Sequence, residues 1–472
     1  MPKSKSVEES NPILRFFGSS LFIKITYGWF FVQAFYMSVS TVLGVSPDEK
    51  YHLQLIRLFT HNGWLPFIHD QTGNYSLGEV VHTPFFIYQY FLSLPNHFFG
   101  TGSLSLYLLR FINILLGLGS LWLTYRLAEK LKLAPAARNI AVFLLANTLM
   151  FVFLFSAISY DNLLVPASLA SFLLVLSLRD RLTLPKLALL LICLLVGSMT
   201  AINYLPVGFV CGILALFIVL KNPKQFIPTM RASFNKSRRL SLGLLVVVAL
   251  LAALFGQRYA LNLVRYHTYQ PACTTSLTLS ECMQDGIYAR SVRLDARPKK
   301  PITLSGVGYL KEWVKLMDHR VYGIFGHKSI DPSRIIMTGS FVLFAAGIIA
   351  ALVGYRPRDV VISWTLAMIV FYVVVLLYDN HKTYLRYGSV SFAVQGRYIF
   401  PVLPLIYLVV SKYIWQTLKP TWAKIVYGIV FCMLFLGFCL PAYLYKSTPA
   451  WHTVRTAALN SHLRNLIDDL KP

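Results

Sequence analysis

Charge is scarce in this chain. Only 13% of its 472 residues are Asp, Glu, Lys or Arg, and 56% are hydrophobic. A soluble globular protein carries about 25% charged residues, so a soluble domain with a single anchor is excluded. Acids are the scarcer sign, 19 against 44 Lys and Arg, for a formal net charge of +25. That balance would suit nucleic acid, but no basic domain or nucleic-acid motif is present. The basic residues fall in short segments between apolar runs, the positive-inside pattern that attracts anionic lipid headgroups. Cysteine is also sparse, six in all, with no zinc-finger spacing. Cys193, Cys211, Cys432 and Cys439 lie inside apolar runs as packing residues. Cys273 and Cys282 share a polar segment and are candidates for a disulfide, since small external loops are commonly stapled.

What is abundant is long apolar sequence, and the chain reads as an all-α polytopic membrane protein. Roughly eleven transmembrane helices of about 20 residues fit the runs. Met1 to Asn11 is polar, and the following run, Leu21 to Leu43, is too long and aromatic for a cleaved signal peptide. Lys3, Lys5, Arg15 and Lys24 lead into it, which predicts a cytoplasmic N-terminus. Residues 45–103 and 257–334 are predicted external loops of a single integral membrane domain, residues 1–472, with no separate soluble domain. The first loop is structured: Glu49 to Thr60 and Phe85 to Leu94 have the pattern of helices lying in the interface. Asn203-Tyr204-Leu205-Pro206 splits the overlong run Leu187 to Leu220 into two spans.

With this topology the unusual polar residues gather on one side. Ser46-Pro47-Asp48-Glu49-Lys50-Tyr51-His52 follows the first span, so two adjacent carboxylates and a histidine surface where a membrane helix meets water. Asp48 and His52 are four apart and share a helix face. The plain alternative is capping, because Pro-Asp-Glu at a helix start satisfies free N–H groups and complements the dipole. Glu79, His82, Asp161, His327, Gln395 and Arg397 belong to the same side. Asp161 either caps the helix it begins or approaches Asp48. Three acids at one water-lined site would need a cation or substrate hydroxyls to offset their charge, so a divalent cation is a candidate and no other cofactor is called for. Gln395-Gly396-Arg397-Tyr398 opens a late span. An arginine there opposes the helix dipole and asks for an anionic partner, either a recognised lipid phosphate or headgroups reached by snorkelling. Gly396 would let the backbone approach that anion closely. Lys328, Arg386 and Arg57 are further cations of this side, and Tyr51 and Trp64 are aromatics of the same side.

The helix centres hold almost no ionisable residues. Asn113 and Asn147 come nearest, and each reads as an interhelical hydrogen bond. A transporter would place ionisable groups at the midplane along a two-sided route. The one-sided cluster fits an enzyme or binding protein of the outer leaflet better. A flippase or transporter is the alternative.

Taken together, Pro47-Asp48-Glu49 after the first span, an interfacial helix, His82 to Phe86, Asp161 opening the fourth span, and Gln395-Gly396-Arg397-Tyr398 with Pro401 resemble GT-C-type membrane glycosyltransferases. That family includes protein O-mannosyltransferases and lipid A aminoarabinose transferases. The resemblance implies transfer of a sugar, with inversion, from a polyprenyl-phosphate donor to a lipid, glycan or protein acceptor at the extracytoplasmic face of the plasma (inner) membrane. It makes Asp48 the base, with Glu49 beside it and Asp161 as second acid. His52, Glu79, His82, Gln395, Arg397 and Tyr398 are then candidates for substrate binding, with Arg397 on the donor phosphate. The pattern around Glu79 and His82 departs from the family's. Partners are the lipid-linked donor, the acceptor and membrane lipids, and no nucleic acid.

Overall fold

A computed structural model describes residues 11–100, 102–221, 223–297 and 301–469. Lys3 and Lys5, part of the orientation argument, lie outside them. The structure is helical, and among the described residues the one sheet is a two-stranded hairpin, β1 (Ile324–Phe325) with β2 (Ser329–Ile330). Among the described residues seven helices are long and apolar enough to cross a membrane, and an eighth crossing results if one bent pair is counted together. Each of the eleven apolar runs of the sequence is helical, including the shorter Leu184–Ser198 and Leu403–Thr417.

Six helices of the first third of the chain help position the site: α1 (Ser20–Ser40), α2 (Glu49–His61), α3 (Ile87–Phe99), α4 (Ser103–Lys130) and the pair α5 (Pro135–Ala146) with α6 (Leu149–Phe155). From Ile140 up to the bend, and again through α6, the pair is apolar on all sides, and a helix of that kind must be surrounded. Ile140 to Phe155 is buried almost without a gap, so this pair is the axis of the bundle. It bends by 65° at Asn147 and Thr148. There Asn147 Nδ2 donates to Phe143 O and Thr148 Oγ1 to Leu144 O, while Trp29 and Gln33 of α1 donate to Asn147 Oδ1. These bonds satisfy side-chain and carbonyl groups that the break would otherwise leave bare in an apolar core.

Next in the chain are α7 (Asp161–Asp180), α8 (Leu184–Ser198), α9 (Leu205–Leu220), α10 (Pro223–Lys236) and α11 (Arg238–Phe255). The outward run expected to end at Phe255 continues as one helix to Tyr266, through a π-helical turn at Gly256–Ala260. The segment expected as a loop from Gln257 therefore begins about three turns later. Beyond it Cys273 and Cys282 form the disulfide. Helix α12 (Gly306–Tyr322) precedes the hairpin, followed by α13 (Arg334–Gly354), α14 (Val360–Tyr387) and α15 (Leu403–Thr417). Helices α2 and α3 pack on each other, with Leu53, Ile56, Tyr88 and Leu92 buried between them and the bundle.

Candidate active site

The C-terminus of α1, the N-termini of α2 and α7, and the turn Gly396–Ile399 before α15 meet at one end of the bundle. Arg110 of α4 ties three of them together. Its Nη1 donates to Ser38 O at 2.5 Å and Thr41 O at 2.8 Å, satisfying carbonyls at the open end of α1. Its Nε and Nη2 donate to the two carboxylate oxygens of Glu49, each at 2.8 Å. Glu49 Oε1 also accepts from Ile158 N at 3.1 Å, just before Asp161. The pair is sealed, with side-chain exposures of 2% and 0%. Glu49, expected beside the base in a water-lined site, is a structural clamp instead. The sequence reading missed Arg110, because a lone arginine inside the apolar run Leu104 to Tyr125 looks like a snorkelling cation until its partner is known.

Asp48, the neighbouring residue, behaves oppositely. It adopts φ 57°, in the left-handed region, and makes no side-chain capping bond to α2. The capping reading does not hold. Its carboxylate turns to Arg397, whose Nη2 donates to Asp48 Oδ2 at 2.7 Å. Arg397 Nε lies 3.4 Å from Asp161 Oδ2. The three residues far apart in sequence thus form one triad, acid–guanidinium–acid. Within it Asp48 is the open member, its side chain 39% exposed against 7% for Arg397 and 1% for Asp161. Burial pushes the Asp48 carboxyl up, but the charge and hydrogen bond of Arg397 win and hold it below its ordinary value. Asp161 Oδ2 also accepts from Ser159 Oγ at 3.2 Å, while its Oδ1 is buried with no hydrogen-bond partner.

Two expectations about Arg397 change accordingly. Its charge is already met by two carboxylates that sequence distance had hidden. Gly396 does allow a close backbone approach, but to protein: a Cβ there would lie 2.1 Å from Arg320 O of α12. No phosphate is needed to explain either residue. Tyr372 OH donates to Tyr398 O at 2.6 Å and fixes the same turn, and Gln395 O accepts from Tyr398 N.

His52 does not share an open face with Asp48. It is buried, with Gln89 Nε2 3.1 Å from its Nδ1 and its ring against Tyr51, Tyr88 and Tyr160. Glu79 and His82 form a separate pair: Glu79 Oε1 accepts from the backbone N and lies 2.9 Å from Nδ1 of His82. Asn262 and Tyr266 hold His82 against the extended end of α11. Tyr51 stands between the two groups and feels the charge of both Asp48 and Glu79. His327, placed on this side by the sequence but given no role there, lies at the turn of the β1–β2 hairpin. It is exposed and its charge bears on Asp48, while Gly326 packs on Pro47 so closely that a Cβ would lie 2.9 Å from the proline ring. Of the other cations, Arg386 is ion-paired with Asp295 at the surface and Lys328 donates to Ala450 O.

A metal ion does not fit this arrangement. The cation between Asp48 and Asp161 is Arg397 itself, and no three metal-ligating side chains converge among the described residues. The triad can instead keep one carboxylate ionised, aimed and accessible.

No family model and no curated protein matches the chain. Among solved structures it is similar to ArnT from Cupriavidus metallidurans in the apo state (14% identity, TM-score 0.45) and bound to undecaprenyl phosphate (16% identity, TM-score 0.45). Each alignment covers 87% of this chain and 62% of that one. It is also similar to the oligosaccharyltransferase AglB from Archaeoglobus fulgidus, in complex with an inhibitory peptide and a dolichol-phosphate (14% identity, TM-score 0.41), over 90% of this chain and 56% of that one. The chain thus spans less than two thirds of these proteins' length.

Proposed function

We propose that this protein is an inverting, GT-C-type glycosyltransferase that moves a sugar from a polyprenyl-phosphate donor to an acceptor hydroxyl at the extracytoplasmic face of the membrane. One observation carries the reading: a left-handed, half-open Asp48 held on a buried arginine, with a second acid behind it. Strained, partly exposed carboxylates with compensated charge are the kind of group that chemistry uses and packing does not require.

In this mechanism Arg397 occupies Asp48 Oδ2, leaving Oδ1 for the acceptor. The acceptor oxygen attacks the anomeric carbon from the face opposite the donor phosphate, and its proton passes to Asp48. The anomeric C–O bond to phosphate breaks, polyprenyl phosphate leaves with the bonding electrons, and the configuration inverts. A carboxylate held at low pKa is a weak base, so proton transfer comes late, after charge has developed on the sugar. Arg397 Nη1, which makes neither carboxylate contact, is the donor available to the departing phosphate. Asp161 keeps Arg397 in place. Tyr51, Gln395 and Tyr398 are then walls of the site, whereas His52, Glu79 and His82 support it from behind.

The test is to incubate purified protein with polyprenyl-phosphate sugars and an acceptor extract, and to assay free polyprenyl phosphate. Release that depends on Asp48 supports the reading. Donor binding without release makes the protein a carrier. The side of the membrane is checked separately: single cysteines placed at Gly73 and Gln284 should react with an impermeant thiol reagent on intact cells, and one at Asn235 should not.

A further inference from the structure

The opposite end of the bundle holds a different kind of site. Helix α7 runs from Asp161 at the acid end to Arg179 at the other, 18 residues and therefore about 27 Å away. There a cavity of about 690 Å³ opens between α7, α9, α10 and the start of α14. Arg179 and Arg181 line one wall and Lys221 another, and none of the three is ion-paired among the described residues. Nearby Asp180 is taken by Lys130 at 2.6 Å. The guanidinium of Arg179 lies 5.7 Å from the ring of Trp364, which also contacts Phe217. Arg179 lines a second cavity as well, of about 280 Å³, with Lys130, Lys132 and Arg358. Its one acid, Asp359, is engaged by Lys412.

Apart from Gln225 and Thr229 the rest of the lining is apolar, and it continues onto exposed apolar surface. Phe217 is 59% and Leu220 60% exposed on α9. Helix α10 buries no side chain, yet it carries Phe226 towards the cavity and Ile227 at 73% exposure beside Lys224, Arg231 and Lys236. An amphipathic helix of this composition lies at a headgroup boundary. The cavity thus offers unpaired cations at its polar end and an apolar exit towards acyl chains.

We propose that this cavity binds the headgroup of an anionic phospholipid, its phosphate held by Arg179, Arg181 and Lys221 and its chains running along α9 and α10. A free phosphate would satisfy the cations but not the apolar half of the lining, which is why a lipid is assigned. The site is independent of the acid triad and of the reaction proposed there.

The experiment compares purified full-length protein, in uncharged detergent, titrated with dioleoyl phosphatidylglycerol, dioleoyl phosphatidylcholine or glycerol phosphate, with bound lipid read by native mass spectrometry. Surface cations are worth about fivefold each in binding an anionic lipid. Phosphatidylglycerol should therefore bind at least about tenfold tighter than phosphatidylcholine, and Arg179→Ala/Arg181→Ala/Lys221→Ala should abolish the difference. A control removing equal charge elsewhere, Arg293→Ala/Lys311→Ala/Lys315→Ala, should preserve it. If the triple variant does not fold, Arg181→Ala and Lys221→Ala singly, both at exposed side chains, should each reduce the preference by about fivefold. Equal loss in control and cavity variants, no headgroup preference in the wild type, or full competition by glycerol phosphate would each overturn the assignment.

Discussion

Asp48 and Glu49 are adjacent acids, each paired with an arginine distant in sequence, and they end in opposite states. Glu49 meets Arg110 through two parallel bonds with both side chains sealed from solvent. Asp48 meets Arg397 through one bond and keeps 39% of its side chain exposed. The difference comes from the backbone. The left-handed turn at residue 48 ends the loop and directs its side chain out, while residue 49, the first of α2, points back under the end of α1. A buried bidentate pair is costly to assemble and costlier to break, and it fixes geometry. A half-open pair keeps one oxygen for chemistry. The clamp holds α1, α2 and the turn before Asp161, so it sets where the open pair stands.

The largest expected effect separates these two roles. Asp48→Asn should reduce transfer by about 10²–10⁴-fold, the usual contribution of a general base. Folding should be nearly unchanged, since Asn also tolerates the left-handed conformation. Glu49→Gln should do the reverse, losing about 3–5 kcal/mol of stability because Arg110 is left buried without a counter-charge. Its activity per folded molecule should fall far less than that of Asp48→Asn. Thermal unfolding in detergent, read beside turnover, checks both. If Glu49→Gln proves stable and inactive, the two acids have been assigned the wrong way round.

Arg397 sharpens the comparison because it serves the open pair from a buried position. Arg397→Ala should cost about 2–4 kcal/mol in kcat/KM and also destabilise the protein, leaving Asp161 buried and uncompensated. Adding Asp161→Asn should restore stability without restoring turnover. Lys at 397 keeps the charge but not the fork, so it cannot meet both acids as Arg does and should retain part of the activity. A pH signature goes with this. The base must be ionised, so activity is lost as pH falls through the Asp48 pKa, which Arg397 holds below its ordinary value. In wild type the acid limb should therefore lie below the range of a free aspartate, about 3.9, and in Arg397→Ala it should move up. An unmoved limb would mean that Asp48 is not the group titrating.

Much of this was legible in the sequence, and what was not has a common cause. Apolar runs and basic loops mark the helices, because burial in lipid demands both. Asn113 and Asn147 read as interhelical bonds and are: Asn113 Oδ1 accepts from Tyr88 and Asn162, Asn147 Oδ1 from Trp29 and Gln33. The grouping of Asp48, Asp161 and Arg397 followed from placing their helix ends on one side. The pairings did not follow. Glu49–Arg110 spans 61 positions and Asp48–Arg397 spans 349, and periodicity carries no information at those distances. The bend at Asn147–Thr148 was hidden for a related reason, since neither Pro nor Gly marks it and the chain simply changes direction inside a continuous apolar run.

The smallest expected effect concerns the wall behind the open pair. His52 is buried, and desolvation, reinforced by the charge of Arg397 against the opposing pull of Asp48, lowers its pKa to about 4. Gln89 Nε2 donates to Nδ1 of the neutral ring, so the proton sits on Nε2. In the unfolded chain the same ring titrates near its ordinary value of about 6.5. Between those two values the unfolded state binds a proton that the folded state refuses, so stability is full above 6.5 and falls as pH drops towards 4. His452, also buried and lowered to about 4, adds to the same window. At pH 5.5 each ring should cost about 1–1.5 kcal/mol relative to neutral pH. His52→Gln keeps an acceptor for Gln89 and removes one titration, so it should reduce the acid sensitivity of the melting temperature between pH 7.5 and 5.5. The proposed base stays ionised across that range, so turnover measured well below the melting temperature should stay flat while stability declines. If His52→Gln melts with the wild-type pH dependence, the ring is already charged in the folded protein, and the wall behind Asp48 is wet.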